Sequence, residues 1–127
     1  MGAVVHDEHG RLLLIRRGHA PSRGLWSVPG GRVEAGETEE AAVVREVAEE
    51  TGLTVAAGGL LGRVRIPAAG VVFTVADFAC RLAHPGQQPV AGDDADDVAW
   101  VDAAQLAILP VTPGLVEALT SWAALPR

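Results

Sequence analysis

The chain contains no Lys and no Tyr, and among its 127 residues there are one Cys, one Met, two Phe and three Trp. A single cysteine, Cys80, cannot close an internal disulfide, and its apolar strand-like surroundings predict a buried, inert thiol. No apolar run reaches the roughly 18 residues a membrane span needs, and the N-terminus lacks the basic-then-apolar order of a signal peptide. A cytoplasmic location without membrane contact is therefore expected. The basic side chains are all Arg, and the formal net charge is -6. Binding to a nucleic-acid polymer, which requires a basic surface to displace counterions, is disfavoured. An acidic chain can still hold polyphosphate when divalent cations and a few local arginines stand between its carboxylates and the phosphates.

What is present suits one folded domain spanning residues 1–127. Apolar residues make up 49% and charged residues 20%, which argues against disorder. Residues 2–6 and 11–17 are apolar, β-branched-rich runs around Asp7-Glu8-His9-Gly10, predicting two strands and a tight turn. Residues 18–31 are rich in Gly, Pro, Ser and Arg and predict a loop. Residues 38–51 lack Pro and Gly and predict a helix with Thr38 as N-cap and Gly52 as its stop. Strands are expected over 53–66 and 71–82, a polar loop over 84–97, and a short strand over 98–101. Asp102 should cap a short helix, and Thr112-Pro113 should open the last helix with Pro at its first position. Leu115, Val116, Leu119 and Trp122 share one side of that helix as a packing face. Strands, a long helix, more strands and a C-terminal helix predict an α/β sandwich around a mixed sheet.

The chemistry concentrates between Gly31 and Leu53. On a helix Glu46, Glu49 and Glu50 stand at i, i+3 and i+4, so three carboxylates share one face. Like charges at these spacings repel, and taken alone such a face reads as solvated surface. Hard divalent cations would turn the repulsion into binding. The spacing around the three acids narrows the choice. Gly31, five residues, Glu37, seven residues, then Arg45-Glu46-Val47-Ala48-Glu49-Glu50-Thr51-Gly52-Leu53 meets nine constraints together. At average residue frequencies a chance match is on the order of one in a billion per start position.

This 23-residue segment, 31–53, resembles the signature of the Nudix hydrolase family, G-x5-E-x7-R-E-U-x-E-E-x-G-U with U aliphatic. Leu25-Trp26-x-x-Pro29-Gly30 is similar to the family's lead-in. The resemblance implies a Nudix-type α/β/α sandwich and a magnesium-dependent pyrophosphohydrolase, with manganese able to substitute. It makes Glu49 and Glu50 metal ligands, helped by Glu46 and the Gly31 carbonyl, and it makes Glu46 a candidate general base. Arg45 resembles the arginine that pairs with Glu37 to hold loop and helix together. A further carboxylate is expected from Asp93-Asp94-x-Asp96-Asp97, with Asp94 first and Asp93 or Asp97 as substitutes. Arg16, Arg17, Arg63 and Arg65 are candidates to meet phosphates. Trp26 is expected to pack rather than stack on a base, Trp100 to lie in the core, and the four His to carry no chemistry.

The implied substrate is a small nucleotide, with ADP-ribose or a similar nucleoside diphosphate derivative favoured. A nucleoside triphosphate pyrophosphatase of the 8-oxo-dGTP-sanitising type is the alternative. A catalytically silent ligand-binding regulator is the reading from another class, and the intact set of three acids argues against it. Family relatives are often homodimers.

Overall fold

The computed structural model describes residues 1–127 apart from the side chain of residue 68. Six strands form one mixed sheet: β1 (Gly2–His6), β2 (Leu12–Arg17), β3 (Trp26–Ser27), β4 (Val55–Ala68), β5 (Val71–Leu82) and β6 (Ala95–Val101). The helices are α1 (Glu39–Thr51), α2 (Ala103–Ile108) and α3 (Leu115–Ser121). The sheet runs β3-β2-β1-β5-β4, with β6 on the other edge of β2. The pair β1–β5 is parallel, while β1–β2, β2–β3, β2–β6 and β4–β5 are antiparallel.

Period-two alternation divides the apolar residues between two cores. Ala3 and Val5, Leu13, and Ala76, Phe78 and Cys80 face α1, where they meet Val43 and Val47. Val4, Leu12 and Leu14 face the other way onto Leu106 and Leu119. A strand covered on both sides explains why residues 12–15 form an unbroken apolar run. The expected α/β/α sandwich is the observed one, and Trp26 and Trp100 both lie in its cores. Among the described residues no helix is long and apolar enough to cross a membrane.

Several elements differ from the sequence expectation. The N-terminal turn is present, with Asp7 Oδ1 accepting from the His9 and Arg11 amides at 2.9 and 2.8 Å. Yet β1 touches β2 at a single register pair, His6 with Leu12, and its long partner is β5. The space left as β1 and β2 diverge is filled by residues 26–31, expected to be loop throughout. Trp26 and Ser27 pair with β2 as β3, and the Ala3 amide donates to the Pro29 carbonyl at 2.8 Å. The last strand starts at Ala95 rather than 98, because β2 offers a full antiparallel edge that pairs Asp97 with Arg16 and Ala95 with Arg17, with Asp96 at a register shift between them. Pro113 is not the first residue of the last helix: Gly114 at φ 86° is the N-cap, and the helix starts at Leu115.

Candidate active site

Helix α1 is positioned at both ends by its own sequence. Thr38 Oγ1 accepts from the Ala41 amide at 3.1 Å, and Gly52 closes the helix in the left-handed region at φ 72°, donating its amide to the Ala48 carbonyl. Ala42, Val43 and Val47 anchor one side in the core. The three acids then occupy graded environments. Glu49 is exposed, Glu46 has a side chain only 15% accessible, and Glu50 is buried.

Arg45 is the hub of the acidic face. Its Nε and Nη2 donate to the two carboxylate oxygens of Glu37 at 2.8 and 2.9 Å, a fork that ties the incoming loop to the helix. Nη2 also donates to the Arg32 carbonyl at 3.0 Å, while Nη1 reaches Glu46 at 3.0 Å and Glu49 at 3.2 Å. The Arg45 hydrogen bonds, helped by the Glu34 amide, hold the Glu37 carboxyl down at about 2. Arg45 therefore does more than the expected pairing, because it also neutralises two of the three helix acids.

Glu50 lacks such a partner. Its Oε2 accepts from the Gly30 amide at 3.0 Å, and burial, with Glu46 and Asp94 as like-charged neighbours, pushes its carboxyl up to about 7 despite that bond and the Arg17 charge. Gly31 lies against Glu46, and a Cβ there would fall 2.4 Å from Glu46 Oε1, so a larger residue at 31 would push the Glu46 carboxylate aside. The Gly31 carbonyl accepts from the Met1 ammonium at 2.8 Å.

The acidic loop reaches this region through its backbone. The Val90 and Gly92 amides donate to the Thr51 and Glu50 carbonyls at 2.9 and 2.8 Å, satisfying acceptors at the end of α1. Asp94 is thereby brought to a small pocket lined by Ile15, Arg17, Gly18, His19, Gly30 and Glu50. Asp96 and Asp97 lie on β6, and Asp97 Oδ1 is engaged by the Val98 amide. Among the expected arginines, Arg17 lines this pocket, and both Arg17 and Arg65 line a larger cavity beside it. Arg63 instead reaches Glu39 at 3.3 Å, and Arg16 lines neither space.

The larger cavity, about 720 Å³, adjoins the acidic pocket at Arg17 and Gly30. For these two spaces sequence reasoning missed His19 and Asp77, and it read Trp122 only as part of a packing face. His19 Nε2 lies 3.2 Å from Asp94 Oδ1, Trp122 forms part of the cavity wall, and Asp77 sits among the cavity-lining residues. Asp77 left a sequence trace as the one charge inside the run 71–80.

Among the described residues no three His, Cys, Asp or Glu side chains converge as a ready-made metal cluster. The donors are nonetheless of the right kind. They are all oxygens, which suit a hard divalent cation, and the buried Glu50 carboxylate, flanked by other acids, lacks a countercharge of its own.

A family profile described as NUDIX domain matches residues 1–121. The chain is 40% identical over 96 residues to the ADP-ribose pyrophosphatase of Methanocaldococcus jannaschii, covering 76% of this chain and 57% of that protein. It is 42% identical over 106 residues to putative 8-oxo-dGTP diphosphatase 2 of Mycobacterium tuberculosis, covering 83% and 72% respectively. Among solved structures it is similar to the MutT NUDIX hydrolase from Burkholderia pseudomallei, with 31% identity, a TM-score of 0.71, and coverage of 94% of this chain and 92% of that one. The chain spans about half the length of the first curated relatives it matches, from 57% down to 41%.

Proposed function

The chain belongs to the Nudix family, and from that premise we propose that it is a divalent-metal-dependent pyrophosphohydrolase that cuts a diphosphate linkage in a small nucleotide. The observation that carries this reading is the placement of Glu50: a buried carboxylate with Glu46 and Asp94 as like-charged neighbours, lining the acidic pocket that adjoins a nucleotide-sized cavity at Arg17 and Gly30. In this reading Glu46, Glu49 and Glu50 hold the metal with the Gly31 carbonyl, and Asp94 adds a carboxylate from the loop. Magnesium is the first choice and manganese the second. Bound there, the cation would neutralise charge developing on the diphosphate oxygens.

The chain's own residues do the rest. Arg17 stands at the seam and supplies a fixed positive charge to the phosphates, with Arg65 further along the cavity wall. Arg45 holds Glu46 and Glu49 on one side of the helix while Glu37 fixes Arg45 itself. Glu46, more enclosed than Glu49, the other α1 acid that Arg45 contacts, is the group proposed to orient and deprotonate the attacking water.

ADP-ribose and related nucleoside diphosphate derivatives are one substrate class, as the archaeal relative's name indicates. Triphosphates carrying an oxidised guanine are the second, matching the mycobacterial relative's name. The test is a hydrolysis screen over ADP-ribose, canonical and oxidised triphosphates, dinucleoside polyphosphates and sugar nucleotides, with magnesium, manganese or EDTA. Metal-dependent cleavage at a diphosphate bond is the expected result. A folded protein that binds nucleotide but cleaves none of these would be a ligand-binding regulator instead.

A further inference from the structure

Asp77 is a charged side chain 8% exposed in the middle of β5, and no described residue donates a hydrogen bond to it. Because no fully enclosed polar atom in the described structure lacks a partner, its oxygens must be open to the cavity it lines. Charged groups are near without pairing. The Met1 ammonium lowers the carboxyl's affinity for protons yet donates to Gly31, and Arg17 and Arg65 line the same cavity without an ion pair to Asp77.

The surroundings are shaped to leave this carboxylate free. Its register partners on both neighbouring strands are glycines, Gly2 on β1 and Gly62 on β4. A Cβ on Gly2 would fall 2.1 Å from Asp77 Oδ1. Gly62 lies beside a register shift in β4, and the Trp122 indole packs over it, where a Cβ would come within 2.6 Å of Nε1. The result is an acceptor pair at the floor of an apolar space with a flat aromatic ring at its side. A carboxylate kept buried without a donor is costly to the fold, so a donor arriving with a ligand gives it a reason to be there.

We propose that Asp77 is the base-reading residue of this cavity and selects a guanine-type base, accepting hydrogen bonds from the ring N1–H and the 2-amino group. An ionised carboxylate only accepts, so it matches an edge carrying two adjacent N–H donors. Adenine and cytosine set an acceptor beside their amino group, and uracil flanks its single N–H with two carbonyls. The orientation rests on the proposed hydrolase reading: with the diphosphate at Arg17, Gly30 and Glu50, the base extends inward to Asp77.

The test measures binding of guanosine, inosine and adenosine 5′-monophosphates by calorimetry, with magnesium and with EDTA. Monophosphates hold no diphosphate bond, so turnover does not intervene. Inosine differs from guanosine only in lacking the 2-amino group. The wild type should bind GMP about tenfold or more tightly than IMP or AMP, and Asp77→Asn and Asp77→Ala should lose most of the GMP-over-IMP preference while remaining folded by circular dichroism. Two variants are used so that a defect in one does not decide the matter. A wild type that binds GMP and IMP equally, binds none of the three, or keeps its preference after Asp77→Ala overturns the proposal. The two readings fail separately. A protein that prefers GMP through Asp77 but cleaves nothing defeats the hydrolase reading alone. One that cleaves dGTP, dITP and dATP with equal kcat/KM defeats the Asp77 assignment alone.

Discussion

Glu50 and Asp77 are both carboxylates that the fold encloses without a cationic partner, and each raises the question of what its burial is for. For Glu50 a metal is the proposed answer. Glu50→Gln keeps the shape and can still accept from the Gly30 amide, but an amide is a poorer ligand for a hard cation. Turnover should fall about a hundredfold or more, with no loss of melting temperature because a buried charge has been removed. Near-normal metal-dependent turnover in this variant would take Glu50 out of the metal site.

Asp77 makes its prediction through pH. Burial pushes its carboxyl up to about 6 from 3.8, against the opposing pull of the Met1 ammonium. A raised pKa in the folded state means that the folded protein holds the proton more tightly than the unfolded chain. Stability from this group is therefore present below about pH 4 and is lost as pH rises towards 6. The loss is on the order of 2 to 3 kcal/mol. Asp77→Asn should be the more stable protein near about pH 7, and its advantage should fade near about pH 4. Parallel melting curves whose separation does not change with pH would contradict this.

Among the elements, α1 and the segments docked on it carry the proposed site. The Arg45–Glu37 fork joins the loop before the helix to the helix itself, so Arg45→Ala should lower the melting temperature as well as scatter Glu46 and Glu49. Glu37 adds a sign that can be checked. Its carboxyl is held at about 2, below the ordinary 4.5, so the stability it lends is present above 4.5 and is lost as pH falls towards 2. Arg45→Ala should flatten that acid limb, and an unchanged melting temperature would refute the locking role.

The loop acid depends on Gly92, whose Cβ would stand 2.2 Å from the Glu49 carbonyl. Gly92→Ala should push the loop off the end of α1, lowering both stability and turnover. Asp94→Ala, an exposed change on the same loop, should lower turnover by roughly ten- to a thousandfold with little change in stability. Equal losses of stability in the two variants would mean that Asp94 has a packing role instead.

At the scale of the whole molecule, both cores are closed by apolar side chains: Val43 and Val47 of α1 close one, and Leu106 and Leu119 of α2 and α3 close the other. Removing divalent ions with EDTA should therefore abolish turnover while leaving the protein folded, with a modest rise in melting temperature when magnesium returns. Collapse of the fold in EDTA would show that the cation is structural.

The sequence by itself determined what depends on local spacing. The three acids had to share a face because they lie on a helix with a Thr cap and a Gly stop, and the strands that became β1, β2, β4 and β5 were readable from their apolar runs. Cys80 is another case: it was expected to be inert, and burial pushes its thiol up to about 11. Tertiary structure decided whatever depended on which strands met. Nothing local says that β1 pairs along β5 and diverges from β2, and that divergence is what admits residues 26–31 and sets Gly30 against Glu50. The start of β6 at Ala95 was settled by a free edge of β2, and the approach of Asp94 by amides that sought the open carbonyls of α1. Asp77 was visible only as a charge in an apolar strand. Its meaning came from two glycines on neighbouring strands and a tryptophan 45 residues away, contacts that exist only after the chain has folded.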